Sequence, residues 1–110
     1  MSASPVGEFE FIVLVAILRL GDDAYGLTIR REIASCTDRE PAPGAVYTTL
    51  DRLEEKGLVS SRYRDATEER GGRPKRFFQL SARGLKTVTE THRTLTRLFD
   101  GVLVPGRSHA

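Results

Sequence analysis

The sequence predicts an α+β fold, mainly helical, in which three helices, a two-stranded hairpin and a long fourth helix follow one another along a single domain. Three observations carry this. The 110 residues are enough for one core and no more. Helix stops and starts punctuate the first half, with Gly21, Pro43 and Gly57 at the breaks. Beyond Gly57 the apolar period shifts from helical to alternating and then to a heptad.

Residues 1–7 are small and turn-prone, and are expected to form a flexible N-terminus. From Phe9 to Leu20 nearly every position is apolar, and the length together with Glu8 and Glu10 in the first turn favours a helix over a strand. A helix apolar all round must be covered on every side. One small core covers only one face, so the other is expected to meet a second subunit, with Phe9 and Val13 at that interface. Gly21-Asp22-Asp23 ends this helix and offers Asp22 or Asp23 as N-cap of the next. That second helix is expected from about Ala24 to Ser35, with Tyr25, Ile29 and Ile33 four apart. Pro41 and Pro43 exclude helix before a third one that opens near Pro43 and stops at Gly57. Its apolar stripe, Val46, Leu50 and Leu53, leaves Gly44, Ala45, Tyr47, Thr48, Thr49 and Arg52 on other faces.

Leu58 to Arg64 alternates, a turn-rich stretch follows to Pro74, and Lys75 to Leu80 completes a hairpin. Its long tip carries Arg70, Gly71, Gly72 and Arg73. Ser81 then caps a helix expected over residues 81–104. In it Leu85, Val88, His92, Leu95, Phe99 and Val102 step alternately by three and four, which is a dimerisation seam. His92 reads as a polar spacer in that seam. Residues 105–110 form a polar, flexible tail. The apolar run of the first helix is too short to cross a bilayer and lacks a preceding basic region, so a cytoplasmic protein with no membrane partner is expected. The single cysteine, Cys36, excludes an internal disulfide and is expected as a small buried hydrophobe.

Charge narrows the function. The net value is only +2, but residues 1–70 hold 9 Lys and Arg against 13 Asp and Glu, whereas residues 71–110 hold 8 against 2. A nucleic-acid footprint must therefore be local, placed by the fold. Three helices and a hairpin in this order make a winged helix-turn-helix, residues 8–80, in which one helix enters the major groove and the hairpin reaches the backbone or minor groove. The third helix suits the groove: Gly44 and Ala45 keep its first turn slim, and Tyr47, Thr48 and Thr49 offer hydroxyls. The hairpin adds six cations within fifteen residues, Arg62, Arg64, Arg70, Arg73, Lys75 and Arg76, of which Arg70, Arg73 and Lys75 are the expected DNA contacts. An enzyme is not expected, because His92, His109 and Cys36 assemble neither a nucleophile with its base nor a metal-ligand cluster; no cofactor and no metal are expected either. The alternative of another class is a winged-helix module that binds protein and no DNA.

The segments Ala24-Tyr25-Gly26-Leu27-Thr28-Ile29-Arg30, Gly44-Ala45-Val46-Tyr47-Thr48-Thr49-Leu50-Asp51-Arg52-Leu53-Glu54-Glu55-Lys56-Gly57-Leu58-Val59 and Gly72-Arg73-Pro74-Lys75-Arg76-Phe77-Phe78-Gln79-Leu80-Ser81-Ala82-Arg83-Gly84 resemble the PadR family of transcriptional regulators, in a short form. The resemblance implies a homodimeric repressor of a palindromic double-stranded operator, often released by a small-molecule effector, with a C-terminal helix crossing to the partner. Tyr47 matches the family's recognition-helix tyrosine and Tyr25-Gly26 the start of the preceding helix. The family's last-strand tyrosine is replaced by Phe77 and Phe78. Ligand stacking between tryptophans, as in some short relatives, does not carry over to a chain without Trp.

Overall fold

The computed structural model describes residues 6–64 and 74–102. Four helices, α1 (Glu8–Leu20), α2 (Gly26–Cys36), α3 (Pro43–Glu55) and α4 (Ala82–Phe99), surround a two-stranded antiparallel sheet of β1 (Val59–Arg64) and β2 (Lys75–Leu80). This is the winged helix-turn-helix arrangement, with α2 and α3 as the helical pair and β1–β2 as the wing. Among the described residues no helix is long and apolar enough to cross a membrane.

Each boundary has a local cause. The chain joins the fold before Glu8: Val6 packs against the core, and the Gly7 amide donates to the Glu10 carboxylate at 2.8 Å. The α1 helix stops at Gly21, whose φ of 60° takes the chain out of helical geometry. Asp22 and Asp23 then lie in a 3-10 turn, so neither caps α2, contrary to the sequence expectation. Tyr25 holds the N-cap position, and its amide donates to Thr28 Oγ1 at 2.9 Å. At the other end of α3, Gly57 (φ 76°) donates to Glu54 O and Leu58 to Leu53 O, the paired hydrogen bonds that close a helix through a left-handed glycine. Ser81 joins two elements at once: its Oγ accepts from Gly84 N at 3.0 Å to cap α4 and donates to Gly57 O at 2.7 Å.

The core gathers Val13, Leu14, Ile17, Ile29, Ile33, Val46, Leu50, Leu53, Leu58 and Phe78, all buried. Val13 is fully enclosed by its own chain, which corrects its placement at a subunit interface. An all-round apolar helix gives no periodic mark of its inward side, and here Val13, Leu14, Ala16 and Ile17 face in. Val88 is also buried against the core, so the fourth helix gives that seam position to its own subunit. Beneath the core edge Lys56 Nζ pairs with the buried Glu10 carboxylate at 2.9 Å, tying the end of α3 to the start of α1. Burial pushes the Glu10 pKa up, but the Gly7 amide and the Lys56 ammonium outweigh it and hold the carboxyl below its usual range.

Past Val88, α4 leaves the body. Every residue from His92 to Val102 is exposed, the principal extents are 56 × 35 × 21 Å, and the radius of gyration is 16.1 Å. A compact chain of this length would have a radius of gyration of about 13 Å. The helix ends at Phe99, earlier than the expected residue 104, because Gly101 turns the chain at φ 75°; Val102 lies beyond it. Cys36 is exposed rather than buried, although it continues the Ile29–Ile33 stripe, because the last turn of α2 runs past the core. Its Sγ lies 3.4 Å from the Glu32 carboxylate.

Candidate nucleic-acid interface

The third helix presents one uncovered face. Gly44, Ala45, Tyr47, Thr48 and Arg52 are exposed, while Val46, Leu50 and Leu53 are fully buried beneath them. A Cβ added at Gly44 would meet nothing within 4 Å, so the first turn of α3 is open to an approaching surface. Thr49 departs from the expectation. It is only 5% exposed and lies on the inward side, because three residues after Val46 and four before Leu53 is itself a core spacing. Its hydroxyl is therefore withdrawn from the outer face.

Tyr47 is 46% exposed and leans across to the start of α2. A Cβ on Gly26 would come within 2.2 Å of the Tyr47 hydroxyl, so it is the missing side chain at Gly26 that lets the ring lie there. Between this ring and the wing runs a groove of about 600 Å³ lined by Tyr25, Leu27, Tyr47, Tyr63, Pro74, Lys75 and Arg76. All three tyrosines of the sequence converge on it. Tyr63 and Leu27, 69% and 37% exposed, were not among the residues singled out by sequence. Alternation along β1 puts Tyr63 on the same face as Val59 and Ser61, but four residues beyond the buried Val59 it stands exposed, so periodicity alone carries no signal for its place in the groove.

The wing is fixed to this groove on two sides. Tyr25 forms a lone antiparallel bridge with Phe77, and Phe78 N donates to Ala24 O at 2.8 Å, so residues 24–25 act as a third edge of the sheet. The Tyr25 and Phe77 rings meet edge to face, 5.1 Å apart. Cations stack on both: Lys75 Nζ lies 4.0 Å from the Tyr25 ring centre and the Arg64 guanidinium 3.9 Å from that of Phe77. Arg64 also donates to Asp22 O at 2.9 Å. On the other side, Arg76 donates to Asp51 Oδ1 at 3.2 Å, to Glu54 Oε1 and to Ser61 Oγ at 3.0 Å. Partial burial works against its charge, yet the two carboxylates outweigh this and raise its pKa.

The structure therefore brings Tyr25, Tyr47 and Lys75 together along one groove, with Tyr25 half-buried as a support for the wing, while Gly44, Ala45, Thr48 and Arg52 are exposed on α3 outside the groove's lining. Arg70 and Arg73 lie outside the described residues. Of the residues assigned to the seam, Leu85, Leu95, Phe99 and Val102 are 41–55% exposed, and His92 is exposed with them. Phe9 is half-buried. Leu98, 67% exposed, joins this apolar set although the heptad did not include it.

Comparison with known proteins identifies the chain's relatives. The transcriptional regulator PadR-like family matches residues 13–90, which run from within α1 to the middle of α4. The chain is 33% identical over 98 residues to the transcriptional regulator YqjI of Escherichia coli, covering 87% of this chain and 43% of that protein. It spans, in other words, less than half of YqjI's length. It is 38% identical over 88 residues to the transcriptional regulator Rv3488 of Mycobacterium tuberculosis, covering 80% of this chain and 77% of that one. The fold superposes with a TM-score of 0.65 on a PadR family transcription regulator from Clostridium difficile, at 24% identity over 87% of this chain and 99% of the other. On the strength of the family match and the shared fold, the chain belongs to the PadR-like family of transcriptional regulators.

Proposed function

We propose that the chain is a cytoplasmic homodimeric repressor that binds a palindromic operator with α3 in the major groove and the wing against the flanking backbone. The observation that carries this reading is the bare face of α3, where Gly44, Ala45, Tyr47 and Thr48 stand exposed beside a cation-bearing hairpin. Gly44 and Ala45 allow close approach, Tyr47 and Thr48 supply hydroxyls to phosphate or base edge, and Lys75 with Arg52 supplies charge. Dimerisation is supported by the exposed apolar residues of α4, Leu95, Leu98 and Phe99, and by Ile12, Val15 and Leu18 on the outer side of α1, half-buried or exposed. A two-fold axis through these helices would set two recognition helices about one DNA turn, about 34 Å, apart. Repression, and release by a small-molecule effector, rest on the family resemblance.

Retention of the purified protein on unrelated duplex DNA across a salt series tests the reading. Neutralising phosphates releases counterions, so log affinity should fall linearly with log salt concentration. A flat response, with no retention at low salt, would leave a protein-binding module and overturn the DNA-binding reading.

A further inference from the structure

We infer that Arg76 is a positioning residue that sets the spacing between wing and recognition helix, and through that spacing the operator discrimination of the DNA-binding reading on which this inference rests. Counted along the sequence, Arg76 is one of six cations in the hairpin. Among the described hairpin cations, Arg76 is the one shown paired with acids of the recognition helix. Asp51 and Glu54 sit one turn apart on α3 and meet the same guanidinium, whose Nε reaches Ser61 of β1. Ser61 in turn donates to both Glu54 oxygens at 3.0 Å, which closes a four-residue network across three elements. The guanidinium also lies 4.9 Å from the Phe78 ring centre, above the core.

Two features make this network a spacer rather than a phosphate contact. Its charge is opposed by two carboxylates, so it brings little net attraction for a polyanion. Its place is decisive as well: Arg76 pairs with Tyr63 next to the last paired position of the hairpin, Arg64 with Lys75. The base of the wing is already held by the buried Phe77 and Phe78 and by the Ala24–Tyr25 edge. Arg76 is therefore the tie between α3 and the outer end of the described wing. A planar guanidinium donating to three partners fixes both distance and angle, which a lysine ammonium does not. Two DNA-contacting elements must hold a set separation to engage one site together, so loosening this tie costs the site-specific complex more than the non-specific one.

The experiment uses a duplex selected by the wild-type protein from a random pool and a scrambled duplex of equal length, each titrated over a salt series. Arg76→Met keeps the aliphatic stem over Phe78 and removes the fork. It should lower the ratio of selected to scrambled affinity by about tenfold, comparable with one mismatched base pair, while the salt slope on scrambled DNA stays unchanged. Arg76→Lys should recover only part of that ratio. The paired variant Asp51→Asn with Glu54→Gln should raise affinity for scrambled DNA, since two negative charges leave the DNA side, and yet lower the ratio. A phosphate-contacting Arg76 would give another pattern: both affinities fall together in Arg76→Met, the salt slope drops by about one unit, and the carboxylate variant keeps its discrimination. Either that pattern or an unchanged ratio in both variants overturns the inference. A wild-type protein that binds neither duplex overturns the DNA-binding reading itself and this inference with it.

Discussion

Gly44 is the position where stability and function should pull in opposite directions. It lies in the first turn of α3, exposed, with nothing within 4 Å of where a Cβ would stand. On folding grounds alone alanine is the better residue there, because glycine loses more backbone freedom and costs about 0.5–1 kcal/mol in a helix. Gly44→Ala should therefore stabilise the protein by about 0.5–1 kcal/mol, and for a chain of this length that is about 2–4 °C in Tm. The same methyl projects from the face we place in the major groove. Holding α3 off the bases there should cost about 1–3 kcal/mol of binding, at least several-fold in affinity. The assay pairs thermal unfolding at fixed protein concentration, since self-association would make Tm concentration-dependent, with titration of a selected operator at fixed salt. A raised Tm with undiminished operator affinity would show that the first turn of α3 does not approach DNA. A lowered Tm would show that the space around Gly44 is filled, and the reasoning from its openness would fail.

Three further outcomes follow from the packing. At Gly84 a Cβ would stand 2.0 Å from the Leu58 carbonyl oxygen, a backbone atom with little room to yield; Gly84→Ala should destabilise by about 1–2 kcal/mol net and lower Tm by about 4–8 °C, and an unchanged Tm would mean that α4 crosses Leu58 more loosely. The Glu10 carboxyl, held below its usual pKa, stabilises the fold fully above the ordinary carboxylate range and loses that contribution as pH falls through its depressed native value. Glu10→Gln should thus cost about 2 kcal/mol in denaturant unfolding at pH 7, with the gap to wild type closing on acidification; a gap independent of pH would remove the Lys56 pair from the account. Leu95→Glu with Phe99→Glu charges the uncovered end of α4 and should yield a monomer by solution scattering, whereas a dimer of unchanged mass would refute the α4 interface.

The sequence carried the element order well because its boundaries are written in residues with one dominant conformational effect. Gly57 and Ser81 act as expected through hydrogen bonds of their own backbone and hydroxyl, and Pro43 opens α3. Local periodicity also found the Val46, Leu50 and Leu53 stripe. It failed where a residue sits between two core positions, as Thr49 does, and where the helix is apolar on all sides, as around Val13. It failed again at Cys36, which has the spacing of a core residue but extends past the core. The largest omission was the Arg76 network. Its partners are 15, 22 and 25 residues away in sequence, so a count of hairpin cations could not distinguish a paired arginine from a free one.

The proposed assignment of α3 to DNA rests most directly on Tyr47, which leans from α3 over Gly26 and borders the groove beside the wing. The deciding measurement is the affinity of Tyr47→Ala for an operator selected by the wild-type protein, taken at fixed salt alongside Tm. With the core stripe of α3 untouched, the fold should persist while operator binding weakens by about 1–3 kcal/mol, the worth of a good base or phosphate contact. Unchanged affinity, or a large loss of stability with affinity preserved in the folded fraction, would make Tyr47 a packing residue and contradict the assignment of this face to DNA.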